Sequence, residues 1–165
     1  MSANSLTAGF PMKTFSSVVL LSLLVLSGCM RTVRFYPVQG PLATQTPSPV
    51  AVGKVTGALN SGSFSVTLSD GEVCKGHWSV VPRPSKSSAA PDNSEMAAVW
   101  DTVYGSGFYT AHVLGAKLYA RYQLAGDRGT KLEVEMYRPE GNSGEMTPIK
   151  GVGKDDKGNI YKLTF

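Results

Sequence analysis

Few residues of this chain are equipped for chemistry: two cysteines, Cys29 and Cys74, two histidines, His77 and His112, and scattered carboxylates. A thiolate beside an imidazole would make a nucleophile. Cys74 and His77, however, stand three apart in "VCKGHW", a segment that reads as a strand, so their side chains leave on opposite faces. Cys74 falls on the apolar face, where a thiol behaves as a small inert hydrophobe, and a dyad would need His112 brought in from elsewhere. Neither histidine has an Asp or Glu at ligand spacing, and a metal site needs about three or four ligands, so no metal is expected. Asp155-Asp156-Lys157-Gly158-Asn159 lacks the run of acidic positions of a calcium loop and reads as a tight turn. No serine sits in a nucleophile elbow and no carboxylate pair stands out. The expectation is a non-enzyme without a cofactor.

Binding is a different matter. "YGSGFY", at 104–109, places two glycines among aromatics. It is no phosphate loop, because no Lys-Ser/Thr follows and the helix precedes it. It serves as a helix stop and connection, while Trp100, Tyr104, Phe108, Tyr109 and His112 are the candidate lining of a pocket for a small apolar or glycan ligand.

The other cysteine gives the chain an address. Phe15 to Leu26 is apolar and follows a single positive charge, Lys13. That run is shorter than the roughly 20 residues a spanning helix needs and has the layout of a secretory signal. It ends in Leu26-Ser27-Gly28-Cys29, which resembles the lipobox of bacterial lipoproteins. The resemblance implies cleavage between Gly28 and Cys29, a diacylglyceryl group on the Cys29 thiol and acylation of the new amino terminus. Several chains on one cysteine exceed what stable anchoring takes. Residue 30 is Met rather than Asp, which resembles the class that Gram-negative cells send to the outer membrane, facing the periplasm. "MKTFSSVVLLSLLVLSGC" is a complete signal by itself, so Met12 is a candidate start.

Composition fits that address. The net charge is +4, and a signal of residues 1–28 carries only Lys13 of it. The basic residues are scattered rather than striped, which argues against nucleic acid. Lys150, Lys154, Lys157 and Lys162 are interrupted by Asp155 and Asp156 and read as a solvated hairpin. With Cys29 lipidated, Cys74 has no disulfide partner, so stability must come from a core. The expected partners are the membrane, through Cys29, and other envelope proteins.

The elements that would hold these residues are hairpins. Arg31–Gln39 reads as extended, with Val33, Phe35 and Tyr36. "GPLATQTPSPVAVG" holds three prolines, so 29–53 is expected as a lipidated N-terminus and semi-rigid tether, with a single β domain over 54–165. In "SFSVTLSDGEVCKGHW" a three-residue loop, Ser69-Asp70-Gly71, sets Phe64 opposite Gly76 and Val66 opposite Cys74 and keeps the apolar residues on one face. "AKLYARYQL" and "TKLEVEMYR" pair Leu124 with Leu132, Tyr122 with Val134 and Ala120 with Met136. Their other face pairs Gln123 with Glu133, Arg121 with Glu135 and Tyr119 with Tyr137, a polar ladder. Met96, Val99, Trp100 and Val103 follow helical spacing; Asn93 or Ser94 caps the start and Gly105 the end. "PRPSKSSAAPDNS" before it reads as a loop. The last hairpin turns at 155–159, and the chain ends within a strand.

The fold class predicted is mainly β: a small antiparallel barrel or sandwich of hairpins with one α-helix at about 94–104. "DGEVCKGHW" resembles a single MORN-type hairpin unit, an architecture that needs stacked copies. The body, from "AVWDTVYGSGFY" to "GNIYKLTF", resembles small bacterial lipoproteins of unassigned function, which implies no activity. A structural or interaction role in the cell envelope is the main expectation, with a ligand-binding module as the alternative.

Overall fold

The computed structural model describes residues 30–58, 60–80, 94–114, 116, 118–139 and 147–165. The lipobox with Gly28 and Cys29, the 82–93 loop, and the capping side chains of Asn93 and Ser94 lie outside the described residues.

The chain forms eight strands: β1 (Met30–Gln39), β2 (Ala51–Ala58), β3 (Ser61–Thr67), β4 (Val73–Val80), β5 (Leu118–Gly126), β6 (Lys131–Arg138), β7 (Lys150–Asp155) and β8 (Ile160–Thr164). Each pairs antiparallel with the next, and β1 pairs with β8, so the sheet closes into a barrel rather than splitting into a sandwich. Closure satisfies both edge strands, which would otherwise present unpaired N–H and C=O groups.

Both hairpin registers agree with the sequence pattern. Phe64 pairs with Gly76 and Val66 with Cys74; Leu124 pairs with Leu132, Tyr122 with Val134 and Ala120 with Met136. The β3–β4 loop closes with Leu68 N–H on Glu72 O at 2.8 Å, and Gly71 takes φ +83°, a left-handed value that favours glycine.

The 29–53 segment departs from the expected tether. Residues 30–39 form β1, which pairs with β2 through Phe35 opposite Ala51 and with β8 through Phe35 opposite Leu163. Val33 and Phe35 are fully buried. The folded domain therefore includes Met30–Gln39, and the proline-rich stretch is the β1–β2 connection, with Leu42 packed against the core.

The barrel interior is filled from one end. Phe35, Phe64, Tyr122 and Tyr161 form a chain of ring contacts with centroids 5.5–6.0 Å apart. Glycine makes the room: a Cβ on Gly53 would lie 2.9 Å from both Phe64 Cε2 and Val33 Cγ1. Each such ring contributes about 1.5–3 kcal/mol by leaving water.

That end is sealed by two buried carboxylates. Glu72 receives hydrogen bonds from the Thr130 hydroxyl at 2.5 Å and its N–H at 2.9 Å, from Arg128 N–H at 3.1 Å and from Lys157 Nζ at 3.3 Å. Asp155 receives Asn159 N–H and Nδ2 at 2.8 Å, and the Tyr161 hydroxyl at 2.7 Å. Asn159 Oδ1 in turn accepts Leu42 N–H at 2.9 Å. These bonds tie the β1–β2, β3–β4, β5–β6 and β7–β8 turns together.

A second layer lies outside the barrel. Helix α1 (Ser94–Tyr104) falls in the β4–β5 connection and packs on β7 and β8. Met96, Val99 and Trp100 are buried on its inner side, as the helical spacing requires. The outer face of β6 is thus not a solvated ladder throughout: Glu135 is 0% and Tyr137 3% exposed. Glu135 still pairs with Arg121, but the helix covers it.

Candidate functional site: the open end of the barrel

The two ends of the barrel differ in kind. Opposite the sealed end, the starts of β1, β5 and β7 meet the ends of β2, β4 and β6. The apolar residues here do not fill the lumen, and a cavity of about 330 Å³ remains. This volume is within the range of small-molecule sites, roughly 300–1,000 Å³. Trp78, Val80, Ala120, Tyr122 and Met136 form its wall, and Ile149 and Phe165 stand at its rim.

Strand parity explains why these side chains meet. Trp78 and Val80 share the inward face of β4 with Cys74, and Ala120, Tyr122 and Met136 belong to the inward rows of β5 and β6. Trp78 is set by its indole N–H, which donates to Thr56 O at 2.9 Å. Its ring occupies a notch over two glycines: a Cβ on Gly62 would come within 2.3 Å of Trp78 Nε1, and one on Gly57 within 2.8 Å of Cζ2. Tyr122 meets Trp78 edge-on at 6.3 Å, and burial pushes its phenol pKa well up. Among the described residues the Tyr122 hydroxyl makes no hydrogen bond.

Two cations line the same cavity. Arg31 continues the inward row of Val33 and Phe35 on β1 and pairs across from Val55; Arg138 continues that of Val134 and Met136 on β6. Both are exposed, and among the described residues neither has an ion-pair partner. Sequence reading missed them, although a charge continuing an inward-facing row at a strand end is a legible signal.

The expected aromatic residues do converge, in another place and in another way. Trp100, 0% exposed, stacks on Tyr104 at 5.5 Å and Phe108 at 6.0 Å; Tyr104 and Phe108 stack at 4.7 Å, and His112 lies 4.7 Å from Phe108. Tyr109 is buried beside them, its N–H held by Asp101 Oδ1 at 2.9 Å in a single π-helical turn, Tyr109–Val113. Lys150 Nζ sits 5.0 Å over the Phe108 ring and Lys162 Nζ 5.4 Å over Tyr104. The rings pack against each other and the barrel wall; the cavity at the open end does not include them.

Cys74 and His77 separate as expected. Cys74 is 0% exposed, burial raises its thiol pKa to about 11, and His77 is on the outer surface. Among the described residues no three His, Cys, Asp or Glu side chains are grouped to hold a metal. The late lysines are partly absorbed by the fold: Lys154 pairs with Glu95 and Lys157 with Asp70 and Glu72. No helix among the described residues is long and apolar enough to cross a membrane.

The fold and the cavity define a class of molecule, an eight-stranded antiparallel barrel closed at one end and hollow at the other. Compared with protein-family models, curated proteins and solved structures, the chain shows no significant match.

Proposed function

We propose that this protein is a lipid-anchored bacterial lipoprotein of the cell envelope whose barrel holds a small apolar ligand at its open end. The observation that carries the reading is the apolar cavity of about 330 Å³ beside Trp78 and Tyr122. A folded barrel of this size can fill its lumen completely; this one leaves a cavity at its open end. Apolar space with a few placed polar groups is the usual form of a ligand site.

The lipobox resemblance at Leu26–Cys29 supports the anchor, and Gram-negative sorting by Met30 supports the outer membrane facing the periplasm. Two measurements test the pair of claims. An environment-sensitive naphthylamine dye should brighten on the purified protein and be displaced by apolar competitors. Cys29→Ala should move the protein from the membrane to the soluble fraction; retention on membranes would defeat the anchor.

A further inference from the structure

The cavity does not end in a neutral rim. Arg31 on β1 and Arg138 on β6 stand three strands apart around it, with Ile149 and Phe165 between them. Both belong to inward-facing rows, and neither has a carboxylate partner among the described residues. Guanidinium groups bind carboxylate and phosphate through paired N–H bonds. Below them the wall is apolar, and its volume is at the low end for ligand sites, which suits one acyl chain better than two.

The position of the rim points the same way. Met30, 58% exposed, opens β1 at this end of the barrel, where it pairs with Thr56, a lining residue. Cys29 is its immediate neighbour in the chain, one peptide unit of about 3.8 Å away. An acyl group on Cys29, as proposed above, would by chain connectivity join the protein next to Met30 and so bring the open end toward the bilayer.

We infer that the open end takes a single-chain amphiphile with an anionic head, drawn from the adjacent bilayer, its chain in the cavity and its carboxylate or phosphate between Arg31 and Arg138. This rests on the cavity reading proposed above and names its ligand class. The arginines supply the selectivity, since a neutral chain of equal length gains the apolar contact but not the paired hydrogen bonds.

The test uses the lipidated mature protein, which begins at Cys29, in phosphatidylcholine vesicles and three probes brominated at mid-chain: stearate, lysophosphatidate and stearyl alcohol. Bromine quenches tryptophan on contact, and Trp78 lines the cavity whereas Trp100 is buried between its helix and the barrel wall. Stearate, lysophosphatidate or both should quench at concentrations at least about tenfold below the alcohol, and the preferred one identifies the head. The quench should vanish in Trp78→Phe. Arg31→Gln/Arg138→Gln should bring the anionic probes to the alcohol's level and leave the melting temperature unchanged. Equal quenching by acid and alcohol would overturn the anionic head while leaving the cavity reading intact. No quenching by any probe, with the naphthylamine dye still bound, would also overturn this inference alone; loss of dye binding as well would defeat both.

Discussion

Trp100 donates its indole N–H to Glu135 Oε2 at 2.8 Å, a hydrogen bond between two fully buried residues that fastens the helix to the outside of the barrel. The Arg121 guanidinium lies 3.7 Å from the other oxygen of the same carboxylate and hydrogen-bonds Glu133 at 2.6 Å. The helix layer is therefore held by apolar packing around this buried polar contact, with Glu95 paired to Lys154 and the Tyr104 hydroxyl donating to Gly151 O at 3.4 Å nearer the surface. A buried hydrogen bond to a charged group contributes more than a neutral one, and removing one partner exposes the cost of burying the other.

Trp100→Phe keeps most of the ring stacking and deletes the donor. It should cost about 1–3 kcal/mol, read as a lower melting temperature. In a double-mutant cycle with Glu135→Leu, which removes the acceptor, the two losses should be less than additive. Additive losses would mean that the bond carries no energy of its own.

Acid should loosen the sealed end. Hydrogen bonds from Thr130, side chain first and then backbone, hold the Glu72 carboxyl down to about 2 from an ordinary 4.5. As pH falls below 4.5 the unfolded chain takes up this proton while the folded barrel does not, so stability declines from there and the contribution is gone below about 2. Glu72→Gln should flatten that part of a melting-temperature curve between pH 5 and 2. An unaltered slope would show that Glu72 does not govern it.

Gly62 should tolerate no side chain. A Cβ there would stand 1.9 Å from Thr56 O and displace the Trp78 indole. Gly62→Ala should cost about 1–3 kcal/mol and shift the tryptophan emission as Trp78 loses its bond to Thr56. Gly71→Ala is the comparison: a Cβ meets nothing within 4 Å, so the expected loss there comes from the left-handed backbone alone.

Much of the barrel is legible along the chain. Phe64, Val66 and Cys74, or Leu124 and Leu132, fix their registers locally, because a slip of one residue would turn them to water. The closing pair β1–β8 is not: Phe35 meets Leu163 across nearly the whole sequence, and nothing near Phe35 announces it. The prolines of the β1–β2 connection pull the reading toward a tether. Glu135 looks like a solvated ladder residue because β6 alone does not say where the helix will land. The cavity is harder still, since an unfilled lumen depends on how Trp78, Tyr122 and Met136 pack together. The aromatic residues from Trp100 to His112 are recognisable as a cluster, but spacing alone does not distinguish rings packed on each other from rings lining a space.

The most direct test of the ligand site is to plug it. Ala120 lies on the cavity wall and a larger apolar side chain there points into the empty space. Ala120→Phe should abolish naphthylamine dye binding while the barrel still melts cooperatively at or above the wild-type temperature. Dye affinity equal to wild type in a folded Ala120→Phe protein would contradict a ligand site at the open end.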